Sequence, residues 1–230
     1  MKAASPHRIR RQSIPEALTE SLRERIVSGE FKEGDWLIQD MIAQEYETSR
    51  MPVREALRQL EAAGLVSMRL HKGAVVTSLP TEQIAELFEL RALLECEVLR
   101  CAIPKFSQEH VSISRGILKE LERAYERRDV SSWGRLNWQF HCSLYVPSER
   151  VQTLSILQGL NLQTDRYIRL HLLLTQAISQ AEKEHRELLR LCVAREIDRA
   201  STYLREHILG AGRALLVALQ KNRRGESRSR

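Results

Sequence analysis

Residues 48–60 read TSRMPVREALRQL, and this stretch decides the fold of the first part of the chain. Its apolar residues recur at the spacing of one helix face: Val53, Ala56, Leu57 and Leu60. Pro52 falls in the first turn, where its missing N–H costs no hydrogen bond, and the Ser49 hydroxyl is expected to cap that turn. The basic residues centre roughly 110° away from the apolar face: Arg50, Arg54 and Arg58. The stretch therefore predicts a helix that buries one side and presents three guanidinium groups on another.

Two further helices precede this one. Residues 14–28 carry apolar side chains at helical spacing, and Gly29 follows them as a C-terminal cap. After a short extended piece, residues 39–46 predict a second helix with Met41 and Ile42 facing inward. Three helices therefore open the chain.

After these helices the pattern changes to that of a β-hairpin. Residues 65–69 and 74–77 are β-rich runs, and Gly73 lies in the turn between them. Three helices followed by a hairpin predict a winged helix-turn-helix domain over residues 14–78.

The rest of the chain predicts helices only. Residues 79–81 form the expected linker, with Pro80 ending the strand and Thr81 capping the next helix. Six amphipathic stretches follow: 81–103, 107–129, 131–146, 149–175, 178–194 and 195–220. The fold class is therefore mainly α, a winged helix-turn-helix followed by an all-α six-helix bundle over residues 82–220.

The charge of the chain lies at its two ends. The 36 lysines and arginines against 30 acidic residues give a formal charge of +6. We expect residues 1–13 to be a flexible basic arm and residues 221–230 a basic, disordered tail, while the stretch between them is slightly acidic. A uniformly basic protein that coats nucleic acid is therefore excluded.

Other sequence features concern the location of the protein. No apolar run approaches the roughly 20 residues that cross a bilayer, and the N-terminus lacks the apolar stretch of a secretory signal. We expect a cytoplasmic protein without membrane contact. The four cysteines form no Cys-x-x-Cys pair and are expected to be buried free thiols.

The arginine face of residues 48–60 is a candidate DNA-binding surface. Arginine suits the major groove because its planar fork can pair with O6 and N7 of guanine together. His71 and Lys72, in the turn of the hairpin, are placed to reach phosphates. The alternative is that the three arginines form an ordinary solvated face of a surface helix.

Residues 24–37 and 48–66 resemble the winged helix of GntR-family bacterial transcription regulators, most specifically in the string SRMPVREAL at residues 49–57. The resemblance implies that Arg50 and Arg54 read bases, that Ser49 contacts a phosphate, and that the wing turn enters the minor groove. Its candidate DNA-binding residues are Ser49, Arg50, Pro52, Arg54, Arg58, His71, Lys72 and Gly73. Members that resemble the fatty-acid-responsive subgroup often have an arginine at the start of the second helix, where this chain has Asp40.

The helical part resembles the all-α effector domain, the FCD domain, of the FadR-like branch of that family, in its six-helix, VanR-like form. The residues that carry this resemblance are 89–95, 137–141, 184–189 and 200–207. Because one winged helix makes few contacts with double-stranded DNA, we expect a homodimer that binds a palindromic operator. We expect a small carboxylate, bound in the helical part, to control it.

Three histidines of the helical part are candidate metal ligands. Asn137 and His141 share one helix face, while His185 and His207 lie beside apolar residues of two other helices. Neutral imidazoles from three helices can bind Zn²⁺ or Ni²⁺, although a single such histidine is more often a core residue. The resemblance implies that the three histidines coordinate a metal together with an aspartate, whose place Asn137 takes here. An amide is a neutral ligand, so the sequence leaves open whether the site holds a metal.

The effector is expected to pair with a cation of the helical part. The candidate effector-binding residues are Arg91, Glu95 and Arg166, of which the two arginines are the candidate partners of its carboxylate. Arg91 can equally form a surface salt bridge to Glu95, one turn away. His110 and His171 are interpreted as structural. We therefore expect a transcription regulator without catalytic residues, most simply a repressor. The alternatives are a metal-dependent enzyme and a protein-interaction bundle, each fused to a DNA-binding domain.

Overall fold

The computed structural model describes residues 13–226 except His71 and Ser78. The chain divides after Thr77 into two compact units, which we name the winged unit and the helical unit. The expected arm lies outside the described residues except for Ser13, and residues 227–230 of the expected tail lie outside them as well.

The winged unit has the predicted three helices and hairpin. Its elements are α1 (Ile14–Val27), β1 (Trp36–Ile38), α2 (Gln39–Glu45), α3 (Arg50–Ala62), β2 (Val66–Arg69) and β3 (Gly73–Val76). The strands form an antiparallel sheet in the order β1-β3-β2, with Ala74 opposite both Leu37 and Met68. Gly73 has a φ of +127°, and a Cβ there would lie 2.1 Å from the carbonyl oxygen of Leu37. The start of β3 therefore accepts only glycine.

The core of the winged unit lies between α1, α3 and the sheet. The side chains of Leu22 and Ile26 in α1 and of Val53 and Leu57 in α3 are completely buried. Ser13 begins α1 with a capping box, in which its side chain accepts a hydrogen bond from the backbone N–H of Glu16 and its own N–H donates to the Glu16 carboxylate. The helical spacing seen in the sequence thus corresponds to the buried faces.

Three local predictions are wrong. The Ser49 side chain makes no capping hydrogen bond to α3, although its backbone is extended as a cap requires. Met41 is 64% exposed, because α2 turns Ile42 and Ala43 to the core and Met41 lies about 100° round the helix from Ile42. Thr81 does not cap α4; Pro80 occupies the cap position, and the Thr81 hydroxyl donates to Glu82 instead.

The helical unit consists of the six predicted helices, joined by short turns. They are α4 (Thr81–Ala102), α5 (Gln108–Glu126), α6 (Val130–Tyr145), α7 (Val151–Thr175), α8 (Ile178–Val193) and α9 (Ile197–Glu226). Pro104 and Pro147 each lie in a 3₁₀ turn directly after a helix, because proline cannot continue the hydrogen-bonding of an α-helix. Helix α9 runs six residues past its predicted end, so the prediction of a disordered tail is wrong for residues 221–226, which continue the helix.

Helix α4 lies along α9, α5 along α6, and α7 contacts α4, α6 and α9. Gly212 of α9 permits the first of these contacts, since a Cβ there would lie 2.8 Å from the ring of Phe88 in α4. The core between the helices is rich in aromatic residues, among them Trp133, Phe140 and Tyr145. This packing brings residues from α6, α8 and α9 to one interior site.

The cysteines are all free, as predicted, but only Cys192 is buried; Cys96, Cys101 and Cys142 are half-buried. Burial raises the pKa of the Cys192 thiol to about 12. Over the described residues, no helix combines the length and the apolar character that a membrane span requires.

Candidate DNA-binding face and candidate metal site

Helix α3 presents its arginines to solvent. Val53, Ala56, Leu57 and Leu60 are buried on one side, while Arg50, Arg54 and Arg58 are exposed on the other. Pro52 is half-buried in the first turn, and Ser49 is exposed just before it. The geometry matches the predicted helix with one buried and one cationic face.

The turn between β2 and β3 supplies the second part of this face. Lys72 is exposed, and its Nζ lies 6.0 Å from the centre of the Trp36 ring. Gly73 is the first residue of β3, and His71 lies outside the described residues. Trp36 is itself 47% exposed. A lysine and an indole thus stand together at the wing.

A surface groove joins the wing to the start of α3. Its lining residues are Trp36, Ile38, Gln39, Asp40, Arg50 and Lys72; we name it the front groove. Inside it, the Asp40 carboxylate forms an ion pair with Nε of Arg50. Asp40 therefore lies beside one of the arginines to which the resemblance assigns base reading.

In the helical unit, three predicted ligands lie together. His141 of α6, His185 of α8 and His207 of α9 each offer a ring nitrogen, and these nitrogens lie within 4.8 Å of one another. The three ring centres are 5.0 to 5.4 Å apart. His141 and His185 are 1% exposed. The fold thus assembles a trio from residues that are more than 20 positions apart.

Hydrogen bonds determine which nitrogen of two of these histidines faces the others. The Tyr145 hydroxyl donates to Oε2 of Glu95 over 2.6 Å, so it can only accept from Nδ1–H of His141, at 3.2 Å. Nδ1 of His207 lies 2.6 Å from the Glu184 carboxylate, to which it donates. In the neutral form of either ring Nε2 then carries the lone pair. A carboxylate or hydroxyl behind each histidine is the arrangement typical of metal ligands.

Buried nitrogens without a partner mark the centre of the trio. Nε2 of His141 and both ring nitrogens of His185 are buried without a hydrogen bond from any described residue. Burial, together with the charges of neighbouring histidines, lowers the pKa of His141 and of His185 well below the usual value. Both rings are therefore neutral at pH 7, as metal ligation requires. The donor set fits a divalent ion.

Asn137 lies one turn before His141 on α6 and is 6% exposed. It lines the cavity that His185 and His207 also line. Its amide can supply a fourth, neutral oxygen ligand but no charge to offset a cation.

The cavity beside the trio measures about 350 Å³ and lies within the helical unit. Apolar side chains such as Phe88, Leu172 and Ile208 form much of its wall. Of the two predicted effector-binding arginines, Arg91 lines this cavity; Arg166 is buried in α7 and is not among the described lining residues. A cavity of this size suits a small organic molecule.

Arg91 and Glu95 form the predicted ion pair, but it is not a surface pair. Nε of Arg91 donates to Oε1 of Glu95 over 2.7 Å, and the two side chains are 5% and 1% exposed. Glu95 in turn accepts from Tyr145, which contacts His141. A continuous buried chain of hydrogen bonds therefore links an arginine of the cavity to a histidine of the trio.

Sequence reasoning missed several residues of this site. Tyr125, His171, Glu184 and Glu206 line the cavity, although the sequence predicts a structural role for His171. Glu184 adjoins His185 in sequence but binds His207 of the next helix, a contact that no periodicity could show. The Tyr125 hydroxyl is buried without a described hydrogen-bond partner. His110, by contrast, is structural as expected, because its ring and Ser107 cap α5 reciprocally.

Comparisons with known proteins agree with this architecture. The family described as "Bacterial regulatory proteins, gntR family" matches residues 15–76, and the FCD domain matches residues 86–210. A relative from Paraburkholderia xenovorans (strain LB400), described as the uncharacterized HTH-type transcriptional regulator BphR, is 32% identical over 203 residues, 86% of this chain and 83% of that protein. The HTH-type transcriptional repressor GlaR of Escherichia coli (strain K12) is 26% identical, over 82% of this chain and 89% of its own.

The solved structure of E. coli McbR/YncC superposes with a TM-score of 0.74 at 20% identity, over 90% of this chain and 99% of that one. At this level of identity the match concerns the fold alone.

Proposed function

Because the chain belongs to the GntR family of bacterial regulatory proteins, we propose that it represses transcription in response to a small organic acid. The family consists of transcriptional regulators and not of enzymes, and the FCD domain is an effector domain. The observation that carries the DNA-binding part is the exposed cationic face of α3 next to the wing. The observation that carries the sensing part is the cavity beside the trio of His141, His185 and His207.

In the proposed complex α3 lies in the major groove. Arg50, Arg54 and Arg58 face the DNA, and bidentate pairs with guanine discriminate among bases by about 1–3 kcal/mol each. The Ser49 hydroxyl, which does not cap α3, is exposed and available to a phosphate. The wing residues His71, Lys72 and Gly73 supply contacts to the backbone and the minor groove, while Pro52 helps to set the start of the helix.

We propose that the protein acts as a homodimer on a palindromic operator. One winged unit offers a short helix and one wing, which is few contacts for specific binding. Two copies related by a two-fold axis would read two half-sites. Effector binding in the helical unit would release or retune the operator complex.

Gel shifts on a selected operator and on random DNA test the DNA-binding part. Arg54→Ala should lower affinity for the operator fivefold or more while changing random binding little, because a base contact carries sequence information. Lys72→Ala should weaken both DNAs alike, because phosphate contacts carry none. Lys183→Ala, which removes an exposed cation from the helical unit, is the control and should change neither. Equal losses on both DNAs for Arg54→Ala would contradict the base-reading role.

We further propose that His141, His185 and His207, with the amide of Asn137, hold a divalent ion such as Zn²⁺ or Ni²⁺. The donors fit such an ion. His141 and His185 are neutral and have buried ring nitrogens without a hydrogen bond from any described residue, while Nδ1 of His141 and Nδ1 of His207 are each held by a hydrogen bond. When bound, the ion would supply a Lewis-acidic position for a carboxylate.

Arg91 would complete the recognition of that carboxylate. Among the described residues only its Nε is hydrogen-bonded, so its two terminal nitrogens are available at the cavity wall. Glu95 remains its buried partner. The other proposed arginine, Arg166, would then act only indirectly, because it is not among the residues that line the cavity.

Calorimetric titration of the chelator-stripped protein with Zn²⁺ and Ni²⁺ tests the metal site. One ion should bind per chain, and His185→Ala should abolish binding. Tyr145→Phe keeps all ligands but removes the acceptor behind His141, and should weaken binding by about 10–100-fold. His110→Ala, a capping histidine, is the control. A wild-type protein that binds neither ion would contradict the metal proposal and leave a metal-free sensor or an interaction bundle.

A further inference from the structure

The ion pair in the front groove is placed where DNA would bind but has little to do for folding. The Asp40 and Arg50 side chains are 57% and 73% exposed. Exposed ion pairs contribute about 0–1 kcal/mol to stability, because water screens them and ordering two side chains costs entropy. We therefore expect this ion pair to affect DNA binding and not stability.

The pair constrains how Arg50 can approach DNA. The Asp40 carboxylate engages Nε, one of the three guanidinium nitrogens. In a planar guanidinium, Nη1 and Nη2 each keep an N–H at the end opposite Nε, which a carboxylate bound at Nε leaves free. That pair can meet O6 and N7 of one guanine end-on. An arginine held on one side also loses less rotamer entropy on binding than a free one.

The pair also discourages a phosphate contact. If Arg50 turned to the DNA backbone, the Asp40 carboxylate would be left without its partner beside a row of negative charges. Arg54 and Arg58 are different: neither forms an ion pair with any described residue. Of the three arginines of α3, Arg50 is the one whose charge is compensated and whose direction is set.

We infer that Asp40 determines specificity through Arg50: it positions the terminal nitrogens of Arg50 for a guanine and withholds Arg50 from phosphates. This inference rests on the proposed DNA-binding function. Asp40 is a positioning residue, since its own carboxylate acts on the arginine and not on a base.

The test is the variant Asp40→Asn in the full chain, which keeps the shape of the side chain and removes its charge. Sites are selected from random DNA with wild type, Asp40→Asn and Arg50→Ala. Asp40→Asn should relax the guanine preference at the position that Arg50→Ala also relaxes, and lower the operator-to-random affinity ratio about fivefold or more. Affinity for random DNA should rise, and the slope of log K against log salt should steepen by about 0.9, one phosphate contact.

The matched control is Glu45→Gln. Glu45 is a carboxylate of the same helix, α2, but pairs with Arg25 at 2.8 Å. The Glu45→Gln substitution removes the same charge from the winged unit but leaves the surroundings of Arg50 unchanged, so the base preference should stay that of the wild type.

Two outcomes would overturn the inference itself. One is an Asp40→Asn variant with the wild-type base preference and affinity ratio. The other is a further loss of specificity when Asp40→Asn is added to Arg50→Ala, because Asp40 would then act on DNA directly. A wild-type protein that selects no sequence would overturn the proposed function, and the inference with it. Thermal melting should be nearly unchanged in Asp40→Asn, which separates these outcomes from misfolding.

Discussion

At the residue scale, the surroundings of each histidine decide its role. His110 caps a helix at the surface, His171 lines the cavity half-buried, and His141 and His185 stand fully buried. A buried imidazole without a counter-charge is neutral, because the interior penalises the charged form. The same residue type therefore serves as a cap in one place and as a candidate ligand in another.

The buried histidines predict a loss of stability in mild acid for the metal-stripped protein. Burial lowers the pKa of His141 and His185 below the unfolded value of about 6.5, so the unfolded state binds more protons below that pH. The free energy of unfolding should be highest above pH 6.5. It should fall as the pH is lowered toward 5, by up to about 1.4 kcal/mol per pH unit for each histidine.

Urea unfolding at pH 7.5, 6.5 and 5.5 measures this dependence. His185→Gln should reduce the slope below pH 6.5, and His110→Gln should leave it unchanged. A free energy that stays constant from pH 7.5 to 5.5 would contradict the prediction.

At the element scale, small residues set how closely the helices pack. A Cβ on Gly134 of α6 would lie 1.5 Å from the Oδ1 of Asp165 in α7, and 2.9 Å from Nε of Arg169. Asp165 and Arg169 form a buried ion pair at 3.2 Å, and Arg169 also donates to the Val130 carbonyl. Helix α6 can therefore approach this charged pair only because position 134 has no side chain.

We predict that Gly134→Ala destabilises the protein by about 3 kcal/mol or more. The added methyl overlaps a buried carboxylate, and separating a buried ion pair costs about as much as severe overpacking. Gly116→Ala in α5 is the matched control: nothing lies within 4 Å of its Cβ, so the higher helix propensity of alanine should stabilise the protein by up to about 1 kcal/mol. Urea unfolding of both variants measures the difference, and effects of the same sign and size would refute the packing argument.

At the scale of the whole molecule, the proposed DNA binding and the proposed effector sensing belong to different units. The winged unit carries the exposed arginines, and the helical unit carries the cavity and the histidine trio. The net charge of +6 does not indicate which unit would bind DNA, because the arginines of α3 are few among the 36 lysines and arginines. The terminal basic segments would add sequence-independent attraction to DNA, and α3 would supply the sequence preference.

The sequence by itself determined the secondary structure and the cationic face of α3. Both follow from local spacing, because residues three or four apart share a helix face whatever surrounds them. It also singled out the three histidines, each on an apolar face of its own helix. It did not show that Met41 faces solvent or that Pro80, and not Thr81, occupies the cap position of α4. These details depend on how the helices pack and on the direction in which the chain enters each helix.

Only the tertiary structure decided which residues meet. The bond from Glu184 to His207, the chain from Arg91 through Glu95 and Tyr145 to His141, and the pair of Asp40 with Arg50 each join residues of different elements or neighbouring turns. The physical reason is that helical periodicity fixes the direction of a side chain around its own axis. The partner it finds there depends on how the helices pack, and that packing is a property of the whole core.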